Sequence, residues 1–353
     1  MPNNDEPVFR DAIFRAKRKR GAWLPVDAVR PGTAVADTHA HLQMLADPAL
    51  SLARCAVHGV RFVADVCDVC EDGGADDAAV FEGLQEWIDR VPSVLAEPGF
   101  CASGAGADAG AGENGADADD IRAASDVEAV GDVRATRGVE AAGEVPGAPR
   151  VRIIVGCHPH NAKDFTPAAQ ERLRARLGDS RVCAIGEIGL DYHYDFSPRP
   201  VQQEVFRWQI RLAHELDMPI SLHLREAHDD ALRILCEEGF PRAGTLLHCF
   251  NLGPAELAPF LEHDCYIAFG GPITFRKADE VREAAKLVPL NRLLTETDAP
   301  YMTPEPMRGT NCGPEHVIFT AMKLAEVRGC ASDAECHAFL DVLFHNAQTL
   351  LNR

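Results

Sequence analysis

The chain has 353 residues, 46% of them hydrophobic and 25% charged, with a formal net charge of −19 and a pI near 5.1. That composition supports a sizeable buried core and excludes wholesale disorder and fibrous repeats; no apolar run approaches the ~20 residues a membrane span needs. The acidic balance argues against a broad basic surface that holds nucleic acid non-specifically, but not against a site that grips phosphates through metal ions.

Residues 1–33 read as an N-terminal extension. The opening MPNNDEPVFRDAIFRAKRKRG has no apolar stretch before a cleavage site, so no secretory signal is expected and cytoplasmic residence is the default. Its basic cluster, Arg15 to Arg20, reads as a solvated helix face. Twelve cysteines without a signal sequence read as reduced thiols. The one CxxC, Cys67 to Cys70, lacks a second pair or a nearby histidine and reads as two ordinary thiols. Residues 101–150 hold 14 Ala and 9 Gly and no aromatic residue; ten acidic against four basic side chains there leave the rest of the chain at −13. Such a segment buries too little apolar surface to offset its ordering entropy, so it reads as a disordered insertion within a domain spanning 34–353.

Short apolar runs recur at 34–41, 60–66, 151–158, 182–189, 219–225, 244–250, 265–271 and 292–300. They read as strands buried on both faces. Helical segments lie between them. Thr166-Pro167 is an N-cap and first-turn proline, and 201–216 places Val201, Val205, Trp208 and Leu212 on one stripe. Eight strands alternating with helices predict an α/β fold, a (β/α)8 barrel. The alternative, an open doubly wound sheet, lacks a Gly-rich phosphate loop after its first strand.

Polar residues break these runs where the strands end: His39 and His41 on the first, Glu187 on the fourth, His223 on the fifth, His248 on the sixth and Asp298 on the eighth. Buried there, each would cost several kcal/mol unless paired or metal-bound. The carboxyl ends of barrel strands open onto one face, so six ligand-type side chains converge. His39 and His41, two apart on extended backbone, point the same way. The donors are all N or O, which suits Zn, Mn, Ni or Mg in a hydrolytic site. They suffice for two ions, with Glu187 the natural bridge, and two ions clamp the attacking and leaving oxygens of an in-line displacement.

DTHAHL (37–42), GCHPHNAKDF (156–165), GEIGLDYHYD (186–195), SLHLREA (221–227), LHCF (247–250) and TETDAPY (295–301) resemble the motifs of the TatD-like metal-dependent hydrolases, from about residue 35 to 351. The resemblance implies a deoxyribonuclease, 3′→5′ exonuclease-like, acting on DNA with two divalent ions and a metal-bound hydroxide. It implies one ion on His39, His41, Glu187 and Asp298, and a second on Glu187, His223 and His248. Asp298 would hold or deprotonate the attacking water; His158, His160 and Arg225 would face the substrate phosphate. Asp191 and Tyr192 would support the Glu187 loop, and Glu296 would sit behind the ligands. The substrate expected is single-stranded or frayed DNA, with Tyr192, Phe250 and Tyr301 as candidates for base stacking; no membrane and no obligate protein partner are implied. The extension, the insertion and Cys312-Gly313 in the last loop depart from the family pattern. Two alternatives remain open at this point. One is lactone, amide or aminoacyl-ester hydrolysis on the same scaffold, against which Glu187 stands where many related barrels carry a carboxylated Lys. The other is a non-catalytic metal-binding protein, which would be expected to have lost a ligand.

Overall fold

Eight parallel strands form one sheet that curls into a nearly closed barrel, in the computed structural model that describes residues 6–18, 21–100 and 147–352. They are β3 (Val35–Ala40), β4 (Val60–Asp68), β5 (Arg150–Gly156), β6 (Val182–Asp191), β7 (Ile220–Arg225), β8 (Thr245–Leu247), β9 (Tyr266–Phe269) and β10 (Leu293–Thr295), paired in chain order. All eight predicted runs are strands. The doubly wound alternative is excluded, because no strand pairs out of sequence. The residues 101–146 of the predicted insertion lie outside the described residues; its last residue, Arg150, instead opens β5 and pairs with Phe62.

The seam between β3 and β10 is stitched by side chains and by the loop that follows β10. Thr38 Oγ1 donates to the Thr295 carbonyl (3.0 Å), and Thr295 Oγ1 to that of Ala36 (2.7 Å). Beyond the strands, the N–H of Asp298 donates to His39 O (2.9 Å) and that of His41 to Ala299 O (2.8 Å). The backbone carrying His39 and His41 is thus hydrogen-bonded to the backbone carrying Asp298.

Helices pack outside, each started by local chemistry: Asp47 caps α1 (Pro48–Val57), and Thr166 caps α3 (Pro167–Arg176) as the sequence predicts. Ser332 and Glu335 form a capping box on α9 (Asp333–Leu351). Ala347, Leu350 and Leu351 of α9 join Ala36, Phe62, Ile154, Leu246, Ala268 and Leu294 in an interior cluster. In α4 (Arg199–Leu216) Val205 and Leu212 of the predicted stripe are buried and Val201 and Trp208 are half-exposed, because the buried face extends instead to Gln202, Phe206, Gln209 and Ile210. The two glutamines are buried because they serve backbone groups at the ends of β5 and β6. Gln209 bonds both N–H and C=O of Cys157, and Gln202 those of Asp191.

The described part of the N-terminal basic cluster, Arg15 to Arg18, is not a helix face; residues 19 and 20 lie outside the described residues. β1 (Phe14–Lys17) and β2 (Trp23–Val26) form an antiparallel hairpin. Phe14 and Ala16 alternate inward against the core while Arg15 and Lys17 point away, a period of two rather than 3.6. Phe14 packs on His58, His316 and Phe319, and Arg54 binds the carbonyls of Phe9 and Asp11.

Candidate metal centre

Two β-bulges set the site. Between the pairs Asp37–Val63 and Ala40–Asp65, β3 gains a residue on β4 at Thr38–His39; between Ile185–Ile220 and Ile188–Leu222, β6 gains one on β7 at Gly186–Glu187. An extra residue re-aims the local side chain, and bulges cluster beside active sites for that reason. A Cβ on Gly186 would lie 2.7 Å from Ser221 Cβ and 2.8 Å from Ile154 Cγ2, so the bulge that presents Glu187 requires glycine. Glu187 and His223 therefore lie inside β6 and β7, not at their ends as the sequence predicts. Both strands run on beyond the barrel ring and pair through Asp191–Arg225. His41 and His248 directly follow β3 and β8; Asp298 follows β10 with φ of 60°, a conformation Asp tolerates better than most residues.

All six predicted ligands meet at Glu187 or next to it. Oε2 of Glu187 faces His39 Nε2 (3.4 Å) and His41 Nε2 (4.0 Å), and Asp298 Oδ1 lies 3.9 and 3.7 Å from the same two nitrogens. Oε1 faces His223 Nδ1 and His248 Nε2, each at 2.6 Å, and His158 Nε2 at 3.7 Å. The donors of His39, His41 and Glu187, and those of Glu187, His223 and His248, form groups lying within 4.8 Å. The His39 and His248 rings stack at 3.8 Å.

Supporting contacts fix these side chains. His41 Nδ1 lies 3.0 Å from Val66 O. Asp191 takes His160 Nε2 (2.8 Å) and His223 Nε2 (3.1 Å) on one oxygen and the N–H groups of His193 and Tyr194 on the other. Fully buried Glu296 accepts the Cys249 N–H and lies 3.7 Å from His248 Nδ1. Arg225 ends β7; among the described residues it makes no ion pair, and its guanidinium sits 4.6 Å over the Tyr194 ring.

Electrostatics at the site are governed by Glu187. Burial works against its charge, but His248, His39, His158 and His223 hold it well below the usual carboxylate range. Burial likewise opposes charge on His223 and His248, yet Glu187 lifts both, and His41 is pushed up to about 9 against burial by Asp298 and Glu187. His39 is lowered, by burial and by His248; His158 is lowered well below the usual range by burial and by His223. Neither ring nitrogen of the buried His39 has a hydrogen-bond partner, nor does His248 Nδ1. Buried polar atoms are normally satisfied. A divalent cation fits this donor set: it would give the nitrogens of His39 a partner and place positive charge beside the Glu187 carboxylate.

Sequence reasoning misplaced the aromatic residues. Tyr192 is already engaged, its hydroxyl donating to Asp230 and its ring covered by Arg199, and Phe250 is buried against Phe269. Only Tyr301 borders the site, edge-on to His41 at 6.5 Å. The exposed pair, which the sequence reading passed over, is Tyr194 and Phe196; their alternation with Tyr192 after Asp191 was the available signal. Cys70 lies not with Cys67 but in a buried group with Asp68 and Cys157, across β4 and β5. Cys312 is buried, and burial pushes its thiol well up.

The family model described as "TatD related DNase" matches residues 36–352. The chain belongs to that family. It is a metal-dependent hydrolase, as its relatives are named. It is 43% identical over 175 residues to an "uncharacterized metal-dependent hydrolase YabD" of Bacillus subtilis, covering 49% of this chain and 68% of that protein. It is 36% identical over 180 residues to a "3′-5′ ssDNA/RNA exonuclease TatD" of Enterobacter lignolyticus, covering 49% and 69%. The crystal structure of YjjV, a TatD homologue from Escherichia coli, superposes with a TM-score of 0.64 at 23% identity, covering 90% of this chain and 98% of that one, which establishes the fold. Among the described residues, no helix is long and apolar enough to cross a membrane.

Proposed function

We propose that this chain hydrolyses phosphodiester bonds in single-stranded or frayed nucleic acid, working from an end, with two divalent ions on either side of Glu187. Glu187 is the observation that carries the proposal, because its two oxygens face separate sets of nitrogen donors: His39 and His41 on one side, His223 and His248 on the other. Asp298 completes the first set. When bound, divalent ions lower the pKa of water toward neutrality and offset charge on a transferring phosphoryl group.

The chain's own residues do the rest. Asp298 holds the attacking water and takes its proton. Arg225, free of any ion pair among the described residues, binds the phosphate, with His158 and His160 beside it. Asp191 and Glu296 hold His160, His223 and the Cys249 backbone in position, the role that partners of ligands play in metal sites.

Several features favour a single strand over a duplex. The site lies at the floor of a mouth ringed by loops, which one extended strand reaches more easily than a rigid duplex. A net charge of −19 repels polyanions wherever ions do not intervene. One relative bears the name of a single-strand exonuclease. The test is hydrolysis of an end-labelled single strand, a blunt duplex and a closed circle with Mg²⁺, Mn²⁺, Zn²⁺ or Ni²⁺. The expected result is stepwise shortening of the single strand, with closed circles intact. Rapid nicking of circles contradicts the end-dependent part. No cleavage with any ion, alongside turnover of a lactone or aminoacyl ester, overturns the whole.

A further inference from the structure

Tyr194 and Phe196 are 47% and 56% exposed, and they are the aromatic members of the described exposed large apolar side chains. They follow Asp191 on the loop after β6, at the carboxyl end of the barrel where Glu187 lies. Their rings stack on each other, centroids 5.2 Å apart and planes 16° from parallel. His160 meets both edge-on, at 5.4 and 4.8 Å. The Arg225 guanidinium lies over Tyr194.

The loop that carries them is tied down at both ends by buried groups. Asp191 accepts the Tyr194 N–H (2.9 Å), and the Ser197 hydroxyl donates to His160 O (2.7 Å) and accepts the Lys163 N–H (3.0 Å). Asp191 and Ser197 are fully buried. Two large aromatic rings are thus held in water on an anchored loop, against the hydrophobic preference for burial. Beside them stands Arg225, a cation without a carboxylate partner among the described residues. A flat apolar face next to that guanidinium matches one ligand chemistry, an aromatic ring bearing an anionic group.

We propose that Tyr194 and Phe196 form a stacking subsite for the base of the nucleotide next to the scissile phosphate, with Arg225 taking that phosphate. The proposal rests on the nuclease reading above. Stacking tolerates any base, because every base has a π-face, so the subsite would bind without sequence preference. It acts on ground-state binding, and its loss should therefore fall on KM rather than kcat.

The test compares two single strands, with Mn²⁺: one with ordinary bases, and one carrying abasic residues on both sides of its terminal phosphodiester. The parent protein should favour the base-bearing strand by about tenfold or more in kcat/KM, mostly through KM. In Tyr194→Ala/Phe196→Ala that preference should collapse toward one, while Tyr194→Phe/Phe196→Trp restores it. An unchanged preference overturns the subsite and leaves the nuclease reading standing. A loss in kcat that is equal on both strands also overturns it, since the rings would then serve only to position Arg225 and His160. If the parent hydrolyses neither strand, the nuclease reading falls and takes the subsite with it.

Discussion

Replacing Glu187 by Gln keeps the shape of the side chain and removes the charge that both donor sets share. In the metal-free protein, Glu187 Oε1 lies 2.6 Å from His223 Nδ1 and from His248 Nε2, all buried or nearly so. Breaking a buried pair costs about 3–5 kcal/mol. Unfolding entropy of roughly 2.1 cal/mol/K per residue over about 300 described residues gives about 0.6 kcal/mol per degree, so the metal-free variant should melt about 5–8 °C below the parent. The response to metal is more diagnostic. An ion at a hundred times its Kd stabilises by about 2.7 kcal/mol, or about 4 °C on this scale, and two ions by about 8 °C. Asp298 lies nearest the His39–His41 set, with His248 of the other set within 4.8 Å, so Asp298→Asn should weaken the first ion most and keep about 4 °C of the shift. Glu187→Gln weakens both sets and should keep less than about 2 °C. Scanning calorimetry of the three proteins, with and without Mn²⁺ or Zn²⁺, measures this directly. Equal residual shifts in the two variants would refute the shared role of Glu187.

Further expectations follow from other parts of the chain. Asp298→Asn should lower the hydrolytic rate by roughly 10²–10⁴-fold with the fold intact, as loss of a positioned proton acceptor does; full activity at saturating metal would remove Asp298 from that role. Phe14→Ala should cost about 3–5 kcal/mol in urea unfolding, because the ring is 4% exposed and packs on three other rings; a loss below about 1 kcal/mol would mean that the hairpin is not part of the core. Burial pushes the Asp65 carboxyl up to about 8, far above its unfolded value, so the native state keeps a proton that the unfolded chain releases. The contribution of Asp65 to stability therefore falls as pH rises from about 4 to 8. In metal-free protein the stability of Asp65→Asn relative to the parent should increase across that range, and parallel pH profiles would contradict the burial argument.

The barrel and the polar residues gathered around Glu187 were legible for one physical reason. Strands buried on both faces must be apolar, so His39, His41, Glu187, His223, His248 and Asp298 stand out against Val, Ile, Leu and Ala. What the sequence left hidden depends on contacts that have no local signature. The bulges that aim His39 and Glu187 arise from pairing with β4 and β7. The hairpin at 14–26 was obscured by the charge of Arg15 to Arg20, although Phe14-Arg15-Ala16-Lys17 alternates with a strand's period. Gln202 and Gln209 lie off the predicted apolar stripe, yet each is buried on main chain, of Asp191 at the end of β6 and of Cys157 just past β5. Phe250, expected at the mouth, is buried and Tyr194 is exposed, because exposure at a barrel rim is set by loop anchoring, here by Asp191 and Ser197, and not by residue type.

The arrangement around Glu187 is tested most directly by anomalous diffraction from crystals soaked in Mn²⁺ or Zn²⁺. The expected map has two peaks flanking the Glu187 carboxylate, one contacted by His39, His41 and Asp298, the other by His223 and His248. A single peak, or a peak at the Asp68–Cys70–Cys157 group with none beside Glu187, would contradict the two-ion site on which the proposed chemistry depends.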